Sequence, residues 1–256
     1  MKGGVLFLGS LFWEDERNAI QERESIDLGK YRKDWRKDFL ALDKNSVQQV
    51  PLPIGYGRKS TSRNNTFTMV LTRNYWKNQG KGLIAPYIDR INFSNLNSFK
   101  AQIKKLAIAE GIYKEGNENF VADWGAVAIY INPDSSDEKQ NKIKENWSRI
   151  IKDTNGNYIN GYGKNINNFT WKKGDSLLNT DYVLSLDLII DTELDFLFCT
   201  YMQPNYKNPS GQRDYPSAKI IGEAMKTYST YFFQNNISKI VTAEDDEIFK
   251  SIPKNY

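Results

Sequence analysis

The chain reads as an α+β protein with a mixed or mainly antiparallel sheet, and three observations predict it. Helix-period and strand-period segments are interspersed without the regular β-α-β alternation of a parallel sheet. Two apolar runs, 177–190 and 194–202, are divided only by Asp191-Thr192-Glu193, which reads as an antiparallel hairpin. With 39% hydrophobic and 13% aromatic residues among 256, the chain has enough apolar surface for a substantial core, and no internal repeat divides it.

The elements follow in order. Residues 5–8 form an apolar β run that breaks at Gly9-Ser10 and resumes with Leu11, Phe12 and Trp13 before a charged stretch over 14–24. Over 27–40, Leu28, Tyr31, Trp35, Phe39 and Leu40 recur at three- and four-residue spacings, the period of an amphipathic helix. Arg32, Lys33, Arg36 and Lys37 are then expected on its solvated side, in preference to a phosphate site. Pro51 and Pro53 confine any strand over 47–54 to a sheet edge or a bulge. Residues 66–72 (Thr-Phe-Thr-Met-Val-Leu-Thr) form a strand, and 83–91 a shorter one broken by Pro86. Ser94 or Asn95 caps a helix that runs to Glu110, where Gly111 ends it in the left-handed conformation usual after a helix. A polar loop over 116–119 leads to a buried strand, 124–131, which stops at Asn132-Pro133.

Further on, Ser135 or Ser136 opens a helix to Lys152, and the Asn- and Gly-rich stretch 153–174 is the best candidate for a flexible excursion. A polar loop spans 204–216, Ser217 caps a helix to Phe233, and 237–252 is partly helical. On the late helix Tyr228, Tyr231 and Phe232 fit core packing better than a partner surface.

Composition narrows the chemistry. The sequence has no histidine, which excludes Ser-His and Cys-His nucleophile pairs, His-ligated metals and imidazole acid-base work. Its one cysteine, Cys199, lies in an apolar run and reads as a packed core thiol. Any proton chemistry therefore falls to Asp, Glu, Lys or Tyr. A net charge of +4 from 35 basic and 31 acidic residues is spread along the chain; it permits contact with nucleic acid, and no run forms a dedicated arm. No window reaches the ~18 apolar residues of a membrane span, and the apolar patch behind Lys2 is too short for a signal-peptide core, so a soluble, cytoplasmic protein without a membrane partner is expected.

Three carboxylates are candidates for a base held beside apolar walls: Glu110 at its helix end, Asp187 within an apolar run, and Asp123 before Trp124. The Gly9-Ser10 break can present backbone N–H groups to an anion or amide, or be an ordinary turn. Likewise Gly55-Tyr56-Gly57-Arg58-Lys59-Ser60-Thr61-Ser62-Arg63 is either a long hairpin turn or an anion-binding loop; it lacks the Gly-Lys-Ser/Thr ending of a nucleotide-triphosphate cradle.

The strand leading into Gly9-Ser10-Leu11, with Trp13 two residues on, resembles the opening motif of the γ-glutamylcyclotransferase-like superfamily, whose strand runs into Tyr-Gly-Ser-Leu or Tyr-Gly-Ser-Asn; here Leu8 replaces the tyrosine. Leu106, Glu110 and Gly111, followed by a strand at Trp124, are similar to the segment that carries that family's catalytic glutamate. The resemblance implies a β-barrel-like sheet with flanking helices, substrate contacts from Gly9, Ser10 and Leu11, and acid-base work by Glu110. The activity it implies is acyl transfer within a γ-glutamyl amine or related amide, a small-molecule substrate, with no metal or organic cofactor. Arg58 is assigned to substrate binding from its glycine-rich turn. A single domain spans 1–256, with a barrel-like core over 1–133 and the helices and hairpin of 134–256 packed on it. The alternative is a non-catalytic module in which the Arg58-Lys59-Arg63 turn captures a nucleotide or nucleic-acid phosphate; no protein partner is specified.

Overall fold

The computed structural model describes residues 1–15, 27–113, 118–163, 176–190, 193–226 and 229–252. Eight strands and six helices are formed among them. The strands are β1 (Gly3–Phe7), β2 (Gln48–Leu52), β3 (Ile54–Ser60), β4 (Thr66–Leu71), β5 (Gly80–Pro86), β6 (Val121–Ala122), β7 (Gly125–Ile131) and β8 (Phe196–Met202). The helices are α1 (Leu28–Phe39), α2 (Leu96–Glu110), α3 (Asp137–Ile151), α4 (Ala218–Ala224), α5 (Thr230–Ile237) and α6 (Asp245–Ser251).

Six strands form one mixed sheet in the order β2-β5-β1-β8-β7-β6, and β3 pairs with β4 in a separate hairpin. Within the sheet only β1 and β8 run parallel; the other pairs are antiparallel. The α+β reading holds. The expected barrel does not: among the described residues nothing pairs β2 with β6, so the sheet is open. Pro51 lies in β2, an edge strand, where its missing N–H breaks no ladder on the outer side. Strands β7 and β8 are buried almost throughout, which is why both read as unbroken apolar runs.

The second half of the chain is not a layer added to the first. Strand β8 is inserted in the middle of the sheet, between β1 and β7. The expected hairpin of 177–190 with 194–202 does not form either. Asn179 Oδ1 accepts from the amides of Asp181 and Val183, and Tyr182 has φ 57°, so the segment turns where a strand would have to run straight. It then touches the outer edge of β7 by a single bridge, Ile129 to Val183, and the strand that pairs with β1 is β8.

Helix ends follow local chemistry. Asp27 caps α1 by accepting from the Lys30 amide, and Asn95 caps α2 by accepting from the Asn97 amide. Gly111 closes α2 at φ 77°, a conformation favouring glycine, which leaves Glu110 as the last helical residue. The expected late helix is split into α4 and α5; Tyr231 and Phe232 of α5 are buried as core residues, and Tyr228 lies outside the described residues. Positive φ at Gly156, Asn160, Gly161 and Gly163 marks turns in the Asn-rich stretch, whose remainder from 164 lies outside them. So do 16–24 of the charged stretch and 116–117 of the polar loop. No helix among the described residues is long and apolar enough to cross a membrane.

The core centres on aromatic rings between the sheet and the α2 and α3 helices. Phe99 of α2 lies 5.6 Å from Phe196 and 5.2 Å from Phe198, and Trp147 of α3 lies 6.3 Å from Phe198. One polar knot ties this layer together. Asp195, buried just before β8, accepts from the Lys2 amide (2.9 Å), Ser135 Oγ (3.1 Å) and Lys139 Nζ (2.7 Å). Burial alone would push its pKa up; the bonds from Lys139, Lys2 and Ser135 outweigh burial and hold it below the ordinary 3.8. A depressed carboxylate pKa adds stability that is present above the unfolded-state value and lost as pH falls through the folded one. Urea unfolding below pH 4 should therefore show a loss of stability that Asp195→Asn flattens, with the variant about 1–3 kcal/mol less stable at pH 7. A wild-type acid slope in the variant would remove Asp195 from this role.

Candidate functional site

Beyond the carboxyl end of β1, Leu8 and Gly9 lead into a 3₁₀ turn, Ser10–Phe12. Its first internal donor is the Phe12 amide, bonded to Gly9 O, so the amides of Ser10 and Leu11 precede any acceptor in the turn. Gly9 is extended, at φ 169°, and its lack of a side chain matters for space: a Cβ there would lie 2.5 Å from the Tyr231 hydroxyl. That hydroxyl in turn accepts from the Met69 amide at 3.4 Å. The turn is thus roofed by α5, an element from the far end of the chain.

A buried charge network holds the turn from below. Glu14, only 5% exposed, accepts from both Arg32 and Arg63, the latter at 2.7 Å. The same Arg63 nitrogen donates to Ser10 Oγ at 2.6 Å. Arg32, 1% exposed, also donates from Nε to Ala109 O at 2.5 Å and lies 3.9 Å from Glu110 Oε2. One turn further along α1, Arg36 donates to Leu11 O at 2.6 Å and pairs with Asp15. Two guanidiniums, Arg32 and Arg63, face two carboxylates, Glu14 and Glu110, so the cluster balances its charge within a poorly solvated space. Burial lowers the Arg36 pKa despite Asp15. For Arg63 burial acts in the same direction, but Glu14 outweighs it and raises the pKa, so the guanidinium stays charged. Its carbon also sits 5.3 Å over the Tyr231 ring.

Arg32 and Arg36 therefore correct the expectation of a solvated basic face. Only Lys33 and Lys37 of the four are exposed. The positions themselves carry the signal: 28, 32, 35 and 36 share one helix face, so both arginines stand on the apolar stripe of Leu28 and Trp35. Burial is tolerated because each has hydrogen-bonding partners waiting.

Gly9, Ser10, Leu11 and Glu110 line one cavity, together with Thr200 of β8 and Tyr231. Its volume is about 20 Å³, room for about one water molecule. Arg58 is not among its lining residues. It donates from Nη1 to Gln203 O at 3.0 Å and lies 5.8 Å over the Trp124 ring, with burial lowering its pKa to about 10. The neighbouring Lys59 lies 5.4 Å over Phe67. The turn that holds them is shorter than expected, because 55–60 belong to β3 and the chain reverses over 61–65. Its cations thus reach in different directions, and the one directed at the Gly9 turn is Arg63.

The other candidates lie apart from the cavity. Asp123 and Asp187 are exposed, and Cys199 is fully buried, its thiol pKa raised by burial and by the nearby Glu110 charge. Glu14, Arg32 and Arg63 were not expected as one unit; nothing local links residues 14, 32 and 63. Among the described residues no group of three or more His, Cys, Asp or Glu side chains is placed to hold a metal ion. Comparison of the chain with protein-family models, curated proteins and solved structures returns no match.

Two substitutions test this geometry. Arg32→Met leaves Glu110 and Glu14 short of a buried counter-charge and should cost about 3–5 kcal/mol in urea unfolding. Gly9→Ala should cost about 1–3 kcal/mol by overpacking against Tyr231. Adding Tyr231→Phe removes the atom that the new methyl meets, so a double-mutant cycle should recover most of that loss; additive costs would mean that the two residues do not touch.

Proposed function

We propose that the chain is a γ-glutamylcyclotransferase-like enzyme that acts on a γ-glutamyl amine or related amide with Glu110 as general base. The observation that carries the reading is that Gly9, Ser10 and Leu11 share one cavity with Glu110, residues remote in sequence that the motif resemblance pairs for this chemistry. On this reading the open sheet is a divergent form of the family's barrel. A chain whose one cysteine is buried and unpaired also suits the reducing cytoplasm.

In the reaction proposed, the Glu110 carboxylate takes a proton from the substrate's α-amino nitrogen, whose lone pair attacks the γ-carbonyl carbon. The carbonyl oxygen gains negative charge and is stabilised by the amides of Ser10 and Leu11. As the oxyanion collapses, the bond from carbon to the leaving nitrogen breaks, and that nitrogen takes the proton back from Glu110. The products are 5-oxoproline and a free amine. Arg32, 3.9 Å from Glu110, supplies a counter-charge to the ionised carboxylate, and Arg63 orients Ser10. A cavity of about 20 Å³ holds no glutamyl group, so turnover requires the wall formed by the Gly9 turn and Tyr231 to move outward.

The test is release of 5-oxoproline from a panel of γ-glutamyl amines and γ-glutamyl dipeptides. Glu110→Gln should lower kcat by about 10²–10⁴-fold while the variant melts near the wild-type temperature. Turnover unchanged in the variant, or no 5-oxoproline from any member of the panel with the wild-type chain, would sink the proposal.

A further inference from the structure

On α5, Tyr231 and Asn235 are turned to the Gly9 region, and the opposite side of the helix carries Phe233 and Ile237, one turn apart. Both are exposed, Ile237 by 72%. Helix α6 lies alongside: Asn236 Nδ2 donates to Asp245 Oδ2 at 2.9 Å, and the rings of Phe233 and Phe249 meet edge to face at 6.2 Å. Phe249 is itself 59% exposed. The other side of α6 is occupied, because Asp245 and Ile248 are buried and Ser251 packs on α4, where a Cβ at Gly222 would come within 2.7 Å of the serine Cβ. What α6 presents outward is therefore Asp246, Phe249 and Lys250.

Seven large apolar side chains are exposed among the described residues, and three of them, Phe233, Ile237 and Phe249, are contiguous here. Single exposed apolar residues are ordinary, whereas a contiguous patch with a charged rim marks a surface that another molecule covers. The rim indicates which. Asp246 and Glu247 stand at the amino end of α6, Lys250 at its carboxyl end, and Lys239 follows α5, all four exposed. Among the described residues none of the four has an ion-pair partner. Two charges of each sign leave the rim neutral, which attracts neither a polyanion nor an anionic lipid surface. Their order along α6, acid first and base last, complements the same helix laid antiparallel. Across a two-fold axis between the positions of 246 and 250, each Asp246 meets the partner's Lys250, and the two Phe249 rings lie beside the axis. A parallel arrangement would set like charges together.

We propose that the α5–α6 face is a two-fold symmetric interface with a second copy of this chain, in which Phe233, Ile237 and Phe249 are buried and Asp246 pairs with the partner's Lys250. The surface lies on the side of α5 away from the Gly9 turn. It is independent of the activity proposed for Glu110, and its test needs no turnover.

Sedimentation velocity of the full chain, over a concentration series reaching the millimolar range, is the measurement. The wild type should show a reversible monomer–dimer equilibrium, which Ile237→Asp should weaken at least tenfold. Asp246→Lys and Lys250→Glu, each alone, set like charges against each other across the axis and should weaken it at least threefold. The double variant carrying both restores opposite charges and should recover wild-type self-association. All three positions are exposed, so the variants should melt near the wild-type temperature and self-association is read on folded chains. Three results would overturn the proposal: a monomer at every concentration, which would leave the face to a different partner, wild-type self-association in Ile237→Asp, or a double variant that associates no better than the single ones.

Discussion

The arrangement around the Gly9 turn depends on one buried cation. Arg32 touches two regions that are far apart in sequence: Glu14 beyond the turn, and the end of α2, where it meets both the carbonyl of Ala109 and the side chain of Glu110. A guanidinium suits this because its donors diverge in a fixed plane, so a single side chain can hold several acceptors at set angles. Its position on the apolar face of α1 delivers it to the interior, and Arg36 one turn later fastens the same helix to Leu11. The cost of taking Arg32 out of water is offset only while its acceptors stay in place, which couples the α1 helix, the turn and the end of α2.

The two ends of β1 are built on different physics. At the carboxyl end, charges neutralise one another and the remaining space is about 20 Å³. At the amino end, the space is about 250 Å³ and is rimmed by the exposed Asp89 and Arg90. Helix α2 contributes to both, through Glu110 at its last position and Gln102 in its middle, so one rigid rod presents a group to each cavity. Aromatic packing of Phe99 against Phe196 and Phe198 holds that rod on the sheet between them.

Helix α5 completes the first of these places from the other end of the chain. Tyr231 covers Gly9, and Asn235 accepts from Trp13 Nε1 at 2.7 Å, so the residues after the turn are anchored to the helix as well. Burial of Tyr231 and Phe232 follows from this contact and from the ring of Tyr56, 6.4 Å from Phe232. The apolar side chains that an amphipathic helix must cover are here covered by the site region itself.

Features governed by neighbouring residues were legible in the sequence. The caps at Asn95 and Gly111, the edge placement of Pro51, the buried β7 run and the core placement of Cys199 all depend on chemistry within a few positions. Others misled because they depend on remote partners. Arg32 and Arg36 read as solvated, since a charge is expected in water unless a counter-charge meets it, and Glu14 and Glu110 are brought there only by folding. The run 177–190 read as half of a hairpin, since apolar character marks burial without saying which strand lies alongside. By itself the sequence determined the α+β class, the ends of α1, α2 and α3 and the exclusion of histidine chemistry, because these rest on composition and local geometry. Only the tertiary structure decided that β8 runs beside β1, that the sheet stays open, and that Arg63 rather than Arg58 reaches the Gly9 turn. Those outcomes rest on pairings between distant segments, which no local pattern encodes.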